Sequence, residues 1–366
     1  MPAADQRWWE TVLAGPNGLL QEHTSLGQGE RYSALPRPSD PRVVVDLDSP
    51  RALSDAIDRM VSSRVSNQAI RSAASRLSSV ASRRSADWLV NSDGDVGTLR
   101  EHLSGVLGRP VKLSVAVGPP RPNRKPVVRC YAGDELVAVA KLGPDPHTDR
   151  MVRNEAVWLS QLMADPLDGV VTPSVLHSGN FGSSALLVMA PLDLVDDLGV
   201  TVAEMPTEVL EAFVRERVEP VSVAQSAWWG ALPARLGAEQ QAALAPYLEA
   251  VTTSSVVDDL EVSAWHGDWS PWNTGATRSG AIAIWDWERA STGVPTGFDL
   301  LHLHYQYGSG FDGATLGLAE FGIPTSRHEL LAGLYLLELC ARHVEADALH
   351  TPRHQRVTEK LKATLS

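Results

Sequence analysis

The chain has 366 residues, which is long for one ordinary domain and suits two or three. Its composition, 43% hydrophobic and 21% charged, is that of a globular protein with a core of normal size. The formal net charge of −12 argues against nucleic acid and anionic membranes as partners, because both bind basic surfaces.

The cysteines and the N-terminus indicate a cellular compartment. Cys130 and Cys340 are far apart and form no CxxC or Cys/His zinc pattern. The stretch MPAADQRWWE lacks the basic and apolar segments of a signal peptide. No apolar run reaches the roughly 18 residues of a membrane-spanning helix. We therefore expect a reduced, cytoplasmic protein with no membrane partner.

Residues 1–110 are expected to form an N-terminal α/β extension. A strand is predicted over Val43–Leu47, followed by a helix with Ser49 as N-cap and Pro50 in its first position. The stretch 61–90 is rich in Ser, Arg and Ala and predicts a polar helix. No residues in this region are arranged for chemistry, which favours a role in packing or capping.

Residues 111–191 are predicted to form a small antiparallel sheet. Five β-branched or apolar runs read as strands, namely VKLSVAV, PVVRCYA, LVAVAKLG, VVTPSVLHSG and ALLVMAPL. One helix, RMVRNEAVWLSQLM, has its apolar residues at helical spacing. This gives a five-stranded sheet with one helix.

Helices dominate the prediction for residues 192–366. Helical spacing is found over 208–218, 238–250 and 329–346, with the turn-like HGDWSPWN and the strand AIAIWDWE between them. Because strands come first and helices follow, the order favours a two-lobed α+β fold over alternating βαβ units.

The stretch WHGDWSPWNTG carries most of the candidate chemistry. Asp268 and Asn273 are five residues apart, and Asp286 follows Asp268 by eighteen. The kinase catalytic loop H-R-D-x-x-x-x-N has the same step of five from base to metal-binding Asn. Phosphoryl transfer needs a carboxylate beside the attacking hydroxyl, and Mg²⁺ prefers oxygen ligands. Asp268 is therefore the candidate base, and Asn273 and Asp286 are candidate metal ligands.

A lysine and a glutamate upstream extend this pattern. Kinases use a strand Lys paired with a helix Glu to steady the phosphates. LVAVAKLG supplies Lys141, and RNEAVWL supplies Glu155 fourteen residues later. Two further charges have open alternatives: Glu288 either contacts a second metal ion or forms a surface ion pair, and Arg124 either reaches phosphate oxygens or is solvated.

The combined motif HGDWSPWN…IWDWE resembles the aminoglycoside phosphotransferase and choline kinase family, which has Gly where protein kinases have Arg. The resemblance covers about residues 111–340. It implies a bilobal protein-kinase-like fold, with a small sheet lobe and a mainly helical lobe. It also implies a magnesium-requiring enzyme that uses ATP or GTP to phosphorylate a hydroxyl of a small molecule, such as an antibiotic, another natural product, a sugar or an amino alcohol.

Residue roles follow from the same resemblance. It makes Asp268 the catalytic base, Asn273 and Asp286 magnesium ligands, and Lys141 with Glu155 the pair that positions the phosphates.

Further positions are implied around the nucleotide and the loop. LLVMAPL resembles the hinge whose backbone contacts the nucleotide base, here Met189, Ala190 and Pro191. In TGFDLLHL, Asp299 would brace the catalytic loop through backbone hydrogen bonds. The loop VGPPRPNRKP has only Gly118 where many kinases have G-x-G-x-x-G.

Several aromatic and histidine side chains lie near these positions. Most tryptophans are expected in the core, but Trp269 and Trp272 lie between base and metal ligand and could wall the acceptor pocket. His266 is expected to fix the loop through a hydrogen bond. His302 and His304 alternate in LLHLHY, but a metal site there lacks an evident third ligand.

Two other functions compete with the kinase. A metal-dependent hydrolase would use His266, Asp268, Asp286 and Glu288, but it lacks further histidine ligands and leaves the lysine–glutamate pair without a role. A nucleotide-binding pseudokinase would lack a catalytic group, whereas every expected position is filled.

Overall fold

The computed structural model describes residues 12–15, 19–22, 29–36, 41–62, 86–91, 97–117, 123–195, 205–215, 217, 219–254, 256–307, 311, 317–319 and 322–365. The chain divides into two compact units. The first is Met1–Ala156 with Ser174–Pro191, and the second is Val157–Pro173 with Leu192–Ser366. Among the described residues, no helix has both the length and the apolar character needed to cross a bilayer.

The strands are short and are numbered in chain order. They are β1 Leu19–Glu22, β2 Glu30–Leu35, β3 Val43–Asp46, β4 Trp88–Asn91, β5 Lys112–Ala116, β6 Val127–Ala132, β7 Glu135–Gly143, β8 Val170–Val171, β9 Val175–Phe181, β10 Ser184–Met189, β11 Glu219–Ser222, β12 Glu261–Trp265, β13 Thr274–Ala276, β14 Ile282–Ile284 and β15 Ser291–Pro295.

The helices follow the same numbering. They are α1 Pro50–Ser62, α2 Leu99–Leu107, α3 Pro146–Ala164, α4 Thr207–Arg215, α5 Ala227–Thr252, α6 Val256–Asp259, α7 Phe298–Tyr307, α8 His328–Glu345 and α9 Pro352–Thr364.

One nine-stranded antiparallel sheet forms the first unit, in the order β1-β4-β2-β3-β5-β6-β7-β10-β9. The prediction of a five-stranded sheet is therefore wrong. The five expected strands are present as β5, β6, β7, β9 and β10, but β3 pairs with β5 and joins four strands of the first 110 residues to them. This pairing covers the edge of β5, which would otherwise expose unpaired backbone groups.

Two sequence predictions differ from the structure in the bounds or number of their elements. The polar helix expected over 61–90 is wrong at its end, because Trp88 and Val90 lie in β4 and are buried there; residues 63–85 lie outside the described residues. VVTPSVLHSG is two strands, β8 and β9, which belong to different sheets.

Both faces of the large sheet are covered by apolar side chains. In β3, Val44 belongs to the core cluster on one face, whereas Val43 and Val45 belong to the cluster on the other. Helix α1 supplies Leu53 to the second cluster. Helix α2 packs in the first cluster, and it begins with a capping box between Thr98 and Glu101.

The second unit combines helices with two small sheets, ordered β11-β12-β15 and β13-β14-β8. It is thus less purely helical than expected. The predicted strand AIAIWDWE is shorter than its pattern suggested, because β14 ends at Ile284, before Asp286. Helix α8 lies in the interior, with every residue from Leu331 to Arg342 buried.

Candidate active site

The loop that carries Asp268 leaves β12 and is shaped by one glycine. Gly267 has φ +82, and a Cβ built on it would lie 2.4 Å from the backbone oxygen of Arg289. Only glycine fits this position without strain. The loop then enters a 3-10 helix, Pro271–Asn273, and continues into β13.

Asp299 braces the loop from the first turn of α7, as expected. The backbone N–H of His266 donates to its Oδ2 at 2.6 Å, and that of Gly267 donates to its Oδ1 at 2.9 Å. Burial raises the pKa of Asp299, and the hydrogen bonds from the backbone N–H groups of His266 and Gly267 oppose that rise. The carboxylate satisfies two buried backbone donors that would otherwise be costly.

His266 ties the loop to the end of β14, in agreement with its expected structural role. Its Nδ1 accepts from the Asp268 N–H at 3.2 Å, so its Nε2–H donates to the oxygen of Trp285 at 3.1 Å. The ring is fully buried, and burial lowers the pKa of His266. The neutral ring therefore connects Asp268 to the residue that precedes Asp286.

The Asp268 side chain is held at both oxygens. Its Oδ1 accepts from His302 Nε2 at 2.9 Å, and its Oδ2 accepts from Asn273 Nδ2 at 3.1 Å. Burial by itself raises the pKa of Asp268, but the hydrogen bond that His302 donates, together with the positive charge of Arg289, holds it well below its ordinary value. At neutral pH this side chain is an ionised hydrogen-bond acceptor, suited to orienting a hydroxyl.

Asn273, Asp286 and Glu288 are the oxygen-bearing side chains that could hold a magnesium ion. Asn273 turns its Nδ2 to Asp268, so its Oδ1 points the other way. Carboxylate oxygens of Asp286 and Glu288 lie within 4.8 Å of each other. Asp286 has φ 70, a left-handed conformation that is uncommon outside glycine and is often found at functional sites. Three oxygen donors of this kind are what Mg²⁺ prefers.

The first unit holds the predicted lysine–glutamate pair. Lys141 lies within β7, opposite Val127 of β6 and Leu187 of β10. Its Nζ is 2.6 Å from each carboxylate oxygen of Glu155 in α3, and both side chains are buried. An ammonium group fixed in this way is a point charge of defined position.

The expected hinge follows β10. Met189 is the last residue of that strand, and the Ala190 N–H donates to the oxygen of Ser174 at 2.9 Å. The Ala190 N–H is therefore occupied and Pro191 has none, so neither residue supplies an N–H donor for a nucleotide base.

The loop between β5 and β6 is only partly described. Arg124 donates from Nε to the oxygen of Val117 at 2.9 Å, which fastens its side chain to the end of β5. Gly118 lies outside the described residues.

Sequence reasoning missed three side chains that hold the loop. His302 contacts Asp268 directly, and its Nδ1 lies 2.9 Å from the Tyr335 hydroxyl. Arg342 donates from Nη1 to the oxygen of Gly267 at 2.7 Å. A signal existed only for His302, which follows Asp299 by three residues and so shares its helix face.

The two tryptophans of the loop differ in exposure. Trp269 is buried, whereas Trp272 is 53% exposed and immediately precedes Asn273. Only Trp272 presents an indole face to solvent, so of the two it is the candidate wall for an acceptor.

The chain was compared with protein-family profiles, curated protein sequences and solved structures. No protein-family profile matches the chain, and no curated protein matches its sequence. Among solved structures, a thermostable mutant of the aminoglycoside phosphotransferase APH(4)-Ia in its apo form has a TM-score of 0.50 at 13% identity, covering 73% of this chain and 98% of that chain. The chain has this protein-kinase-like fold.

Two other structures are similar to the chain. Choline kinase LicA from Streptococcus pneumoniae has a TM-score of 0.49 at 14% identity, covering 72% of this chain and 98% of that chain. The streptomycin–ATP complex of APH(2")-IIa has a TM-score of 0.47 at 13% identity, covering 72% and 94%. The kinase-like fold expected from the motif HGDWSPWN…IWDWE is confirmed by the likeness to APH(4)-Ia described above.

Proposed function

We propose that the protein is a magnesium-dependent kinase that transfers the γ-phosphoryl group of ATP or GTP to a hydroxyl of a small molecule. The observation that carries this proposal is the ionised Asp268, hydrogen-bonded at both oxygens in a loop braced by Asp299, within a phosphotransferase-like fold.

Asp268 orients the acceptor. A carboxylate whose pKa is strongly lowered is a weak proton acceptor, so its main contribution is to align the hydroxyl by accepting its hydrogen bond. This agrees with phosphoryl transfer, in which catalysis is largely positioning and neutralisation of charge.

The remaining residues bind the nucleotide. Asn273, Asp286 and Glu288 would hold Mg²⁺, which when bound neutralises charge on the phosphates. Lys141, fixed by Glu155, places a further positive charge for a phosphate oxygen. We assign the base of the nucleotide to the hinge at 189–191.

The acceptor meets the second unit near Trp272. An exposed indole one residue from Asn273 offers a flat apolar face to a sugar ring, or a π-face to a cationic amine. Aminoglycosides, other hydroxylated natural products, sugars and amino alcohols are the acceptor classes to test.

The experiment is an acceptor screen with Mg-ATP and Mg-GTP. We expect one class of hydroxyl compound to gain the mass of one phosphate while the nucleoside diphosphate is released. Asp268→Asn is expected to keep nucleotide affinity and to lose at least about 100-fold in kcat, since it removes the charge that aligns the hydroxyl. The matched control is Asp193→Asn, which changes an exposed carboxylate.

The outcomes separate the competing functions. A pseudokinase binds nucleotide in a thermal shift assay but never consumes it. A metal-dependent hydrolase has the same melting temperature with and without ATP. Full transfer by Asp268→Asn would contradict the role assigned to this carboxylate.

A further inference from the structure

We propose that His302 is a positioning residue for the catalytic carboxylate: its neutral imidazole, which donates from Nε2 to Asp268 and accepts at Nδ1 from Tyr335, fixes the rotation of the Asp268 side chain. This role rests on the kinase function proposed above, but it concerns residues of the second unit that no sequence motif assigns.

The hydrogen-bond chain determines which nitrogen carries the proton. His302 Nε2 lies 2.9 Å from Asp268 Oδ1, and an ionised carboxylate can only accept, so Nε2 carries the hydrogen. In a neutral ring Nδ1 is then an acceptor, and the Tyr335 hydroxyl, 2.9 Å away, is its donor. Each group in the chain from Tyr335 to Asp268 thus has a defined direction.

Burial favours the neutral ring. His302 is 4% exposed and Tyr335 is 0% exposed. Burial, the largest influence, lowers the pKa of His302, and the charges of Arg342 and Arg353 act in the same direction, against the opposing effect of Asp268. A neutral ring whose Nδ1 accepts from Tyr335 keeps its Nε2–H donor directed at the carboxylate.

Two donors on different elements fix the plane of the carboxylate. Asn273, from the loop itself, bonds Oδ2, and His302, from α7, bonds Oδ1. A carboxylate has about four lone-pair directions, so positions remain for the acceptor hydroxyl. Without His302 the side chain would be held at one oxygen only and could rotate about its Cβ–Cγ bond.

One turn of α7 therefore performs two tasks. Asp299 holds the loop backbone through His266 and Gly267, and His302, three residues later, holds the side chain of Asp268. Residues three apart share a helix face, which explains how one rigid element reaches both parts of the loop.

The test compares three variants with the wild-type protein. His302→Gln keeps an N–H donor close to the position of Nε2. His302→Leu with Tyr335→Phe removes both polar partners, so that no buried hydroxyl is left without a partner. The matched control is His304→Gln, a half-buried histidine of the same helix that has no place in the proposed mechanism. Thermal melting checks that every variant is folded.

The first readout is release of nucleoside diphosphate from Mg-ATP and Mg-GTP in the presence of the hydroxyl compounds of the acceptor screen. We expect the double variant to lose about 10- to 100-fold in kcat, the usual cost of removing the partner that orients a functional ligand, with KM for nucleotide unchanged. We expect His302→Gln to recover most of this loss and His304→Gln to stay within about twofold of wild type. A folded protein with a purely structural His302 would not show this split between kcat and KM.

The second readout does not depend on activity. Long-range ¹H–¹⁵N correlation spectra of ¹⁵N-histidine protein report the tautomer of each ring, and the signal absent in His302→Gln assigns His302. We expect a neutral ring protonated at Nε2.

Three results would overturn the proposal. They are a ring protonated at Nδ1, a folded double variant whose kcat is within about twofold of an active wild type, and a wild type that releases no diphosphate from either nucleotide. The last of these rejects the kinase function together with the positioning role. The first two reject the positioning role alone.

Discussion

The charged centres of the two units are built differently. In the first unit, Lys141 and Glu155 form a buried ion pair between β7 and α3. In the second unit, Asp268 lies in a loop held by several hydrogen bonds from α7 and α8. Loss of one member of a buried ion pair leaves an uncompensated charge, whereas the loop divides its support among several groups. Removing one charged partner should therefore destabilise the first centre. Removing one supporting hydrogen bond of the second centre should mainly lower the reaction rate.

The largest expected effect is in the first unit. Lys141→Met should lower the free energy of unfolding by about 3–5 kcal/mol, because it leaves the Glu155 carboxylate buried without its cation. Adding Glu155→Leu should restore most of that stability but no nucleotide binding. Chemical denaturation and nucleotide thermal shift measure the two properties. A double variant as unstable as the single one would show that the pair is not the cause.

The next effect concerns the turn of the catalytic loop. In Gly267→Ala the new methyl group would meet the Arg289 backbone oxygen, and alanine would have to adopt the left-handed backbone conformation of Gly267. We expect the free energy of unfolding to fall by about 2–4 kcal/mol and diphosphate release to be lost. Gly280 has a similar φ of +86 but nothing within 4 Å of its Cβ position. Gly280→Ala should therefore cost about 1 kcal/mol and keep activity. Equal effects of the two changes would exclude the close approach as the reason for glycine.

A smaller effect concerns acid stability. Glu338 of α8 accepts from Arg235 and from Arg342, which in turn holds the oxygen of Gly267. Burial works to raise the pKa of Glu338, but the hydrogen bond of Arg235 and the charge of Arg342 outweigh it and lower the pKa from 4.5 to about 2.

Because the folded protein holds this carboxylate at a depressed pKa, its stabilising contribution is present above pH 4.5 and is lost as the pH falls toward 2. Between these pH values, the free energy of unfolding should therefore fall more steeply with decreasing pH in the wild-type protein than in Glu338→Gln. Exposed Glu359→Gln controls for the change in net charge. Parallel curves for wild type and Glu338→Gln would contradict the assignment.

The smallest effect is expected at an exposed ion pair. Asp193 and Arg278 are 70% and 68% exposed and their atoms are 2.8 Å apart. Removing either charge should change the free energy of unfolding by less than about 1 kcal/mol, since solvent screens such pairs. A loss comparable to that of Lys141→Met would mean that burial does not distinguish the two pairs.

The sequence predicts best those features that are set by spacing within a short segment. The order of Lys141 and Glu155 and the five-residue step from Asp268 to Asn273 belong to this class. The contact of His302 with Asp268 spans 34 residues, and that of Arg342 with Gly267 spans 75. Such contacts depend on helix packing, which leaves no local pattern.

The large sheet illustrates the same limit. β4 has only four residues, and its pairing with β2 joins Tyr32 to Trp88 across a long stretch of chain. Neither alternation nor composition of so short a strand indicates its partner. The fold class, the five later strands and β3 were therefore predictable, whereas β1, β2, β4 and the pairing that joins these strands to the sheet were not.

We propose that this chain binds a magnesium–nucleotide complex for phosphoryl transfer. Isothermal titration of Mg-ATP and Mg-GTP into the wild-type protein, Lys141→Met/Glu155→Leu and Asp286→Asn measures this binding. We predict that wild type binds at least one nucleotide, that binding weakens at least tenfold when magnesium is removed, and that both variants remain folded but bind at least tenfold more weakly. Failure of folded wild-type protein to bind either nucleotide, or binding unchanged by magnesium and by both variants, would contradict it.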